Sequence, residues 1–516
     1  MRKFLLIYKI VAIGFLLSAA LPVFYTLTFV LLNGNGWDKI AFGDFLLLVK
    51  SILLSATVAL GATFAGGILG FVLFKTRWKR YDFLKIIFLI PLFISPYILA
   101  VAWRDFFNII FSRTDFIYSV AGMVWVLITV FTPLAMLMVG SAFANINAHL
   151  EECGLLMVNQ KKVLLKIVLP LLKPAVLSSF ALIFIFAVSN FSVPAFFGVK
   201  VFTTEIFTQF SAFYNHDLAI IKSLLLTVIC ALLLLSEYKY LSDAPFFSLA
   251  GKGLKTKVYN DEKLKRYGAI FLSFWFVVTI IVPFAVLFWQ TWHGGRVYWL
   301  KAWQLLIPTF KDSFSLAFFS SLIVVFTGVV IAYFSVWLKY NTKFITGLLL
   351  LVFVIPSTVY GISLIRFYNV PLLNIIYSGL LIIVIAFWGK FSFVSVKIIT
   401  NAIKQLPESM HDAARIAGAG EFTIFSKILF PLTLPAIFAV FIIVFVFSLG
   451  EMGTVIMIYP PGVELMPVKV FTIMANVPQS LTGAMSLVVF LVTLMVVAFL
   501  FLVYKLFISK DYRANG

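Results

Sequence analysis

Charged residues are scarce in this sequence. Asp, Glu, Lys and Arg make up only 12% of its 516 residues, whereas hydrophobic residues make up 63%. A soluble globular domain usually carries about 25% charged residues. Repeated apolar runs of about 20 residues match the length that an α-helix needs to cross a bilayer. The short alternating segments typical of membrane-spanning strands are missing. The composition therefore predicts an all-α polytopic membrane protein.

The motifs of a catalytic or metal-binding protein are also missing. Cys153 and Cys230 are too few for a disulfide scaffold, and neither has a CxxC or His-spaced neighbour, so we expect no metal site. The stretch GKGLKTK at 251–257 lacks the spacing of a phosphate-binding loop. The four His are dispersed, and no Ser/His/Asp or paired-carboxylate constellation is recognisable. We therefore expect no enzyme activity and no bound cofactor, and ATP hydrolysis would need another chain.

Acidic residues are half as numerous as basic ones, 20 against 40, which gives a net charge of +20. Such a charge can indicate nucleic-acid binding. Here most Lys and Arg lie in short loops between apolar runs, where they determine topology. We therefore predict a lipid bilayer and no nucleic acid as the environment of the chain. Most of these residues fall on one side of the alternating spans, which predicts that both termini are cytoplasmic.

About twelve spans can be assigned, with six on each side of a polar, basic segment at 238–266. This segment is predicted to be a cytoplasmic linker between a first unit, 1–237, and a second unit, 267–516. The predicted spans are 9–32, 44–74, 83–103, 117–142, 167–189, 218–237, 267–290, 313–337, 345–366, 374–398, 432–455 and 482–507.

The most distinctive polar segment is 412–435, DAARIAGAGEFTIFSKILFPLTLP. Good helix formers fill 407–417, and Gly418 then breaks the helix because glycine readily adopts φ > 0. Glu421 can begin a second helix, since a carboxylate in the first turn meets the positive end of the helix dipole. The segment is predicted to form a helix, a glycine turn and a helix with a small Ala413-Ala414 face.

A second copy lies at 151–174, EECGLLMVNQKKVLLKIVLPLLKP. Glu151 precedes Pro170 by 19 residues, as Asp412 precedes Pro431. Both copies fall between the fourth and fifth predicted span of their half. Similar Ser-rich starts of the second span, at Ser51 and Ser313, support an internal repeat.

The pattern in question begins with an acidic residue and two Ala, continues after three residues with Gly, and ends after nine more with Ile-x-apolar-Pro. It resembles the EAA loop of ABC importer permeases. The 412–435 copy fits closely, with Asp for the usual Glu; the 151–174 copy lacks both Ala and the Gly. The resemblance implies two fused six-helix type I permease units. It also implies coupling helices at 151–162 and 412–423 that dock on two copies of an ATPase. The ATPase-coupling residues would be Glu151, Glu152, Met157, Asp412, Ala413, Ala414 and Gly418.

Because Met157 stands where the second copy has Gly418, we expect the two docking sites to be unequal. Gly154, three residues earlier, is expected to shift the helix break.

Polar residues after the fifth span of each half are candidates for the substrate pathway between the halves. Asn190 and Glu451 occupy equivalent positions, and an acid at the end of an apolar span is costly to bury. The alternative is that Glu451 simply lies at the outer interface. We expect Glu205 and Asp217, in the outer loop 190–217, to contact a binding protein or water.

The substrate is less well defined. Fused permeases of this type resemble iron(III) importers, and FFGVKVFTTEIFTQF at 196–210 is similar to that group. Thiamine, phosphonate and polyamine permeases are alternatives. Selectivity would then lie in an extracytoplasmic binding protein at a bacterial inner membrane. The competing classes are an ion-coupled secondary transporter, which also has repeats, and a membrane enzyme or assembly factor.

Overall fold

The computed structural model describes residues 2–32, 40–76, 78, 81–112, 115–243, 259 and 261–514. Within these residues the regular secondary structure is α-helical, with short π-helical and 3-10 turns and one isolated β-bridge. Most of the predicted linker 238–266 lies outside them. The first twelve helices are α1 (Arg2–Phe15), α2 (Leu21–Leu32), α3 (Phe42–Lys75), α4 (Tyr81–Ile87), α5 (Pro96–Phe111), α6 (Val120–Ala144), α7 (Ala148–Met157), α8 (Gln160–Val163), α9 (Leu169–Ser189), α10 (Ser192–Phe197), α11 (Phe202–Ser211) and α12 (His216–Asp243).

The remaining helices lie after the predicted linker. They are α13 (Glu262–Phe276), α14 (Val282–Val336), α15 (Lys343–Val354), α16 (Ser357–Tyr368), α17 (Asn374–Tyr377), α18 (Leu381–Lys404), α19 (Glu408–Ile416), α20 (Glu421–Ile424), α21 (Phe430–Gly450), α22 (Val455–Ile458), α23 (Met466–Ile473) and α24 (Gln479–Ala514).

Eight helical segments of the described residues are long and apolar enough to cross a membrane, or ten if each of two bent pairs counts once. One of the eight, Glu262–Val336, has 75 residues and bends at Gly295, where φ is 67°. It therefore contains two predicted spans, 267–290 and 313–337. The sixth predicted span coincides with α12. The prediction of an all-α polytopic membrane protein is confirmed.

The third and ninth predicted spans, 83–103 and 345–366, are bent rather than straight. The first turns by 90° before α5, and the second by 109° between α15 and α16. Each break precedes a proline, Pro96 or Pro356, whose ring disfavours helical backbone in the residue before it. That residue is extended in both halves, with ψ of 134° at Ser95 and 127° at Ile355.

Wide π-helical turns occur at matching places in the two halves, and each is followed two residues later by a proline. Proline lacks an N–H, and its ring clashes with the carbonyl four residues before it. A π-turn widens the helix at that carbonyl and relieves the clash. The turns and their prolines are Leu16–Ala20 with Pro22, Val277–Ile281 with Pro283, Leu164–Val168 with Pro170, and Phe425–Leu429 with Pro431.

The start of the second span makes the same hydrogen bond in both halves. The Ser51 hydroxyl in α3 accepts a bond from the N–H of Phe202, the first residue of α11, at 2.8 Å. The Ser313 hydroxyl in α14 accepts one from the N–H of Met466, the first residue of α23, at 2.9 Å. The match between these serines in the sequence therefore reflects a repeated tertiary contact.

The chain forms two compact units whose first helices are interchanged relative to the sequence. Unit 1 comprises Met1–Gly34, Leu300–Val477 and Val488–Gly516; unit 2 comprises Asn35–Trp299 and Pro478–Leu487. In unit 1, the ring of Tyr8 in α1 stacks on that of Phe334 at 4.8 Å between centroids. In unit 2, Gly268 in α13 packs against Val72 in α3. The division into repeats at 1–237, 238–266 and 267–516 stays a prediction.

Within unit 1, two tyrosines of α16 donate hydrogen bonds to backbone carbonyls in the turn before Pro22. Pro22 has no N–H to donate to the carbonyl of Ser18, four residues earlier. The Tyr368 hydroxyl donates to that carbonyl at 2.9 Å, and the Tyr360 hydroxyl donates to the carbonyl of Ala19 at 3.3 Å. Inside a bilayer such bonds are needed because no water replaces them.

We predict that Tyr368→Phe lowers the free energy of unfolding by about 0.5–1.5 kcal/mol, because it removes the donor to the half-buried carbonyl of Ser18. Thermal unfolding in detergent measures the change. Tyr25→Phe is the matched control, since Tyr25 lies on α2 of the same unit but is 43% exposed. Equal melting temperatures for the two variants would contradict this role of Tyr368.

Candidate functional site

The first loop of interest is a pair of short helices between α6 and α9. Asn147 caps α7 by accepting a hydrogen bond from the N–H of His149, and Asn159 caps α8 by accepting one from the N–H of Lys162. A hydrophobic cluster beneath them fixes the loop to the ends of the two spans. Its buried members are Val139, Ala142, Phe143, Ile146, Val163, Val168, Leu172 and Ala175.

Gly154 does not break the first helix, contrary to our expectation. It is buried within α7, and a Cβ atom there would lie 2.6 Å from Cδ1 of Ile167 and 3.2 Å from Cγ2 of Val163. Glycine is therefore needed for close packing of α7 on the segment that follows it. The helix ends later, at Val158, through extended backbone with φ of −144°.

Glu151 is fully buried at the base of α7. One of its carboxylate oxygens forms an ion pair with the Lys75 ammonium at the end of α3, and the other accepts a hydrogen bond from the Tyr259 hydroxyl. Burial, followed by the bond to Glu151, raises the pKa of Tyr259, so its hydroxyl stays protonated as the donor. Two partners therefore compensate a carboxylate that would otherwise be costly to bury.

The second loop has the predicted helix, glycine turn and helix. The first helix, α19, covers Glu408–Ile416, Gly418 has φ of 80°, and α20 begins at Glu421. These expectations for the local structure are confirmed. A Cβ atom at Gly418 would meet nothing within 4 Å, so glycine is needed there only for its backbone conformation.

Glu421 is the best-connected acid of the second loop. The Tyr333 hydroxyl of α14 donates to it at 2.8 Å, and Nε2 of His411 lies 3.5 Å from the same oxygen. The guanidinium of Arg415 lies 3.7 Å from its other oxygen. Trp337 packs on His411 with 5.0 Å between ring centroids. The second loop thus has its own anchoring network, built from residues of α14, α19 and α20.

The two loops differ in which residue of the first helix points inward. Glu151 is buried, whereas Asp412, its partner in the sequence pattern, has a side chain that is 73% exposed. His411, one residue earlier, is buried instead. The inward-facing position of the first helix therefore differs by one residue from what the sequence pattern pairs. Glu151 and Asp412 do not occupy equivalent environments.

The outward faces of the two first helices carry exposed aliphatic side chains near their C-terminal ends. Leu156 is 89% exposed, and the adjacent Met157 is 87% exposed. Ile416 lies five residues after the inward-facing His411, as Leu156 lies five residues after Glu151. It is 88% exposed. Of the remaining predicted residues, Glu152 and Ala413 are exposed, and Ala414 is half-buried.

Several residues of this site escaped prediction from the sequence. Lys75 was assigned only to topology, and Tyr259 lies 108 positions beyond Glu151. Leu156, Ile416 and His411 are not part of the EAA-loop pattern. Apolar residues on an otherwise polar, cytoplasmic helix would have been a usable signal for Leu156 and Ile416.

The pathway candidates Asn190 and Glu451 have the same local contact. Each ends a long span and begins a short turn. The Asn190 side-chain oxygen accepts a hydrogen bond from the N–H of Val193 at 3.0 Å, and Glu451 accepts one from the N–H of Thr454 at 2.9 Å. Both are half-buried. Each therefore shapes the chain reversal after its span, α9 or α21.

Glu205 does not behave as a water-facing residue of the outer loop. It accepts hydrogen bonds from the Lys222 ammonium at 2.9 Å and from Gln209 at 2.8 Å, and the same ammonium contacts Asp44 at 2.7 Å. Burial tends to raise the pKa of Glu205, but these donors together outweigh it and hold the pKa below its usual range. Glu205 thus joins α11 to α12, while Asp217 is exposed.

Comparison with known protein families finds one that matches the chain in two places. The family model for the binding-protein-dependent transport system inner membrane component matches residues 62–241 and again 324–510. These two matches confirm the prediction of two fused permease units.

Individual relatives match either about four fifths of the chain or less than half of it. The chain is 24% identical over 433 residues to the Fe(3+)-transport system permease protein FbpB 2 of Haemophilus influenzae, covering 82% of this chain and 83% of that protein. It is 23% identical over 440 residues to the ferric transport system permease protein FbpB of Actinobacillus pleuropneumoniae, covering 79% and 64%. The spermidine/putrescine transport system permease protein PotC of Escherichia coli K12 is 26% identical over 212 residues, 40% of this chain and 79% of that protein.

We predict that Gly418→Ala loosens the second loop, because a non-glycine residue at φ of 80° costs about 1–2 kcal/mol. Amide hydrogen exchange of 408–424 should become faster. Gly420→Ala is the control, since Gly420 has φ of −72° and equal space around it. Unchanged exchange in Gly418→Ala would contradict the requirement for glycine.

Proposed function

This chain belongs to the family of binding-protein-dependent transport system inner membrane components, and from that premise we propose that it is the permease of an ABC importer. It would form the translocation pathway and couple uptake to ATP hydrolysis on a separate chain. One observation carries the proposal. Each half has two short helices between its fourth and fifth spans, and the first of the two, α7 or α19, has an exposed aliphatic residue near its C-terminal end.

The exposed faces of α7 and α19 support docking of a soluble partner. Leu156 and Ile416 are almost fully exposed, although they lie on helices anchored to the ends of the spans. Exposed aliphatic residues on such a rigid helix are suited to a hydrophobic pocket in a partner, where central apolar anchors contribute most of the binding energy. Two such helices in one chain fit two copies of an ATPase subunit.

The distribution of charge supports the side on which the ATPase docks. Both loops lie on the side of the membrane where most Lys and Arg are found, which is the cytoplasmic side. We infer that both termini face the cytoplasm. ATP would be bound by the partner alone, and this chain would hold no cofactor.

The relatives favour ferric iron as the substrate. The relatives that match 82% and 79% of the chain are named as Fe(3+) and ferric transport permeases, whereas the polyamine permease matches 40% of it. We propose that an extracytoplasmic binding protein delivers the iron and provides the selectivity. Asn190 and Glu451, at matching ends of α9 and α21, are proposed to shape the outer gate of the pathway.

We predict that Leu156→Asp and Ile416→Asp each reduce capture of the ATPase by at least about tenfold, the loss expected for an anchor worth more than 1.4 kcal/mol. Pull-down of the ATPase by the detergent-solubilised permease measures the loss. Leu372→Asp is the control, because Leu372 is 91% exposed but lies in the predicted outer loop after α16. Equal capture by all three variants would contradict docking through these residues.

We predict that a ferric-loaded binding protein stimulates ATP hydrolysis by the reconstituted complex, whereas thiamine-, phosphonate- and polyamine-loaded proteins do not. Stimulation by one of these others would change the substrate and keep the permease role. Uptake that persists without the ATPase and follows an ion gradient would favour a secondary transporter instead.

A further inference from the structure

We propose that Tyr259, in the segment joining the two halves, is a positioning residue for the first coupling helix, α7, and acts through Glu151. The inference rests on the proposed function, since it concerns the helix that would dock on the ATPase. It assigns to the linker a mechanical role at one of the two docking sites.

The contact brings together three elements that are distant in the sequence. Lys75 ends α3, Glu151 lies in the first turns of α7, and Tyr259 precedes α13. The side chains of Lys75 and Glu151 are fully buried, and Tyr259 is 5% exposed. The backbone participates as well, because the N–H of Tyr259 donates to the carbonyl of Lys75 at 2.8 Å. The end of the linker is therefore bound to the end of α3 independently of the side chains.

The buried carboxylate sets the rotation of α7 about its axis. Glu151 and Gly154 face inward, which directs Leu156 to the opposite side of the helix, as the 100° per residue of a helix requires. A buried ion pair is stable only when its remaining oxygens find donors. The Tyr259 hydroxyl is that donor, so losing it would weaken the contact that fixes the exposed face of α7.

Among the residues that the structure describes, the second loop is anchored within the second half and not through the linker. Its acid, Glu421, is held by Tyr333, His411 and Arg415, which all come from the second half. The Glu421 side chain is 17% exposed, against 0% for Glu151. Tyr333→Phe is a matched control for Tyr259→Phe, because each variant removes one phenolic hydroxyl that donates to a loop carboxylate.

The sequence supplies a reporter on the helix itself. Cys153 is exposed on α7, two residues after Glu151, whereas Cys230, the other cysteine, is buried. A nitroxide spin label on Cys153 of the full-length permease in detergent, without ATPase, would report the motion of α7. Cys153→Ala identifies any signal from Cys230.

We expect Tyr259→Phe to increase the mobile fraction of the Cys153 spectrum, with a rise of roughly tenfold in the population of released helix, since hydrogen bonds to charged groups are among the stronger ones. Tyr333→Phe should leave the spectrum unchanged. An unchanged spectrum in Tyr259→Phe, or equal changes in both variants, would overturn the proposal. The Lys75–Glu151 ion pair remains in Tyr259→Phe, so this variant is expected to fold.

The functional readout is the ratio of substrate imported to ATP hydrolysed by the reconstituted complex. Tyr259→Phe should lower this ratio with little change in the amount of ATPase bound, because the docking residues are retained but less well positioned. A normal ratio in Tyr259→Phe, with the wild-type complex active, would overturn the positioning role and leave the proposed function intact. Failure of the wild-type permease to bind any ATPase would instead contradict the proposed function.

Discussion

The need to pair every backbone polar group inside the bilayer determines where this chain places its polar side chains. Its prolines remove backbone donors or bend spans, and a side chain compensates at two of these places. Tyr368 donates to the carbonyl of Ser18 below Pro22. At the break before Pro356, the buried Lys390 ammonium donates to the carbonyl of Ile355 at 2.6 Å. That carbonyl lies at the negative end of the α15 dipole, which favours a cation. At these two places a buried polar side chain therefore marks irregular backbone.

The two halves preserve backbone contacts more strictly than side chains. A serine at the start of the second span holds the first residue of a later helix in both halves, although that residue is Phe202 in one and Met466 in the other. An amide at Asn190 and a carboxylate at Glu451 cap the same turn. In the loops, by contrast, one half has a Lys–Glu–Tyr group around Glu151, and the other has a Tyr–Glu–His–Arg group around Glu421. The repeat thus maintains the path of the chain while the loops have diverged.

Much of the fold was predictable from the sequence, because apolar runs and turn residues determine the secondary structure of the positions next to them. The helix of 408–416, the turn at Gly418 and the restart at Glu421 depend on local preferences and were predicted correctly. The bends at Pro96 and Pro356 have a local cause as well, but hydropathy alone does not register them. The burial of Glu151 could not be predicted, because its partners Lys75 and Tyr259 are 76 and 108 positions away. The one-residue difference between Glu151 and His411 likewise depends on tertiary packing.

The interchange of first helices has a consequence for biosynthesis. The residues that α1 packs against, such as Phe334 and Trp388, emerge from the ribosome more than 300 positions after it. At about 5–20 residues per second, α1 waits roughly 15–60 s in the membrane before its partners are made. During that interval lipid or an insertion factor must cover its packing face. Unit 1 can therefore complete its core only after translation of the second half is well advanced, whereas most of unit 2 can assemble once α13 has been synthesised.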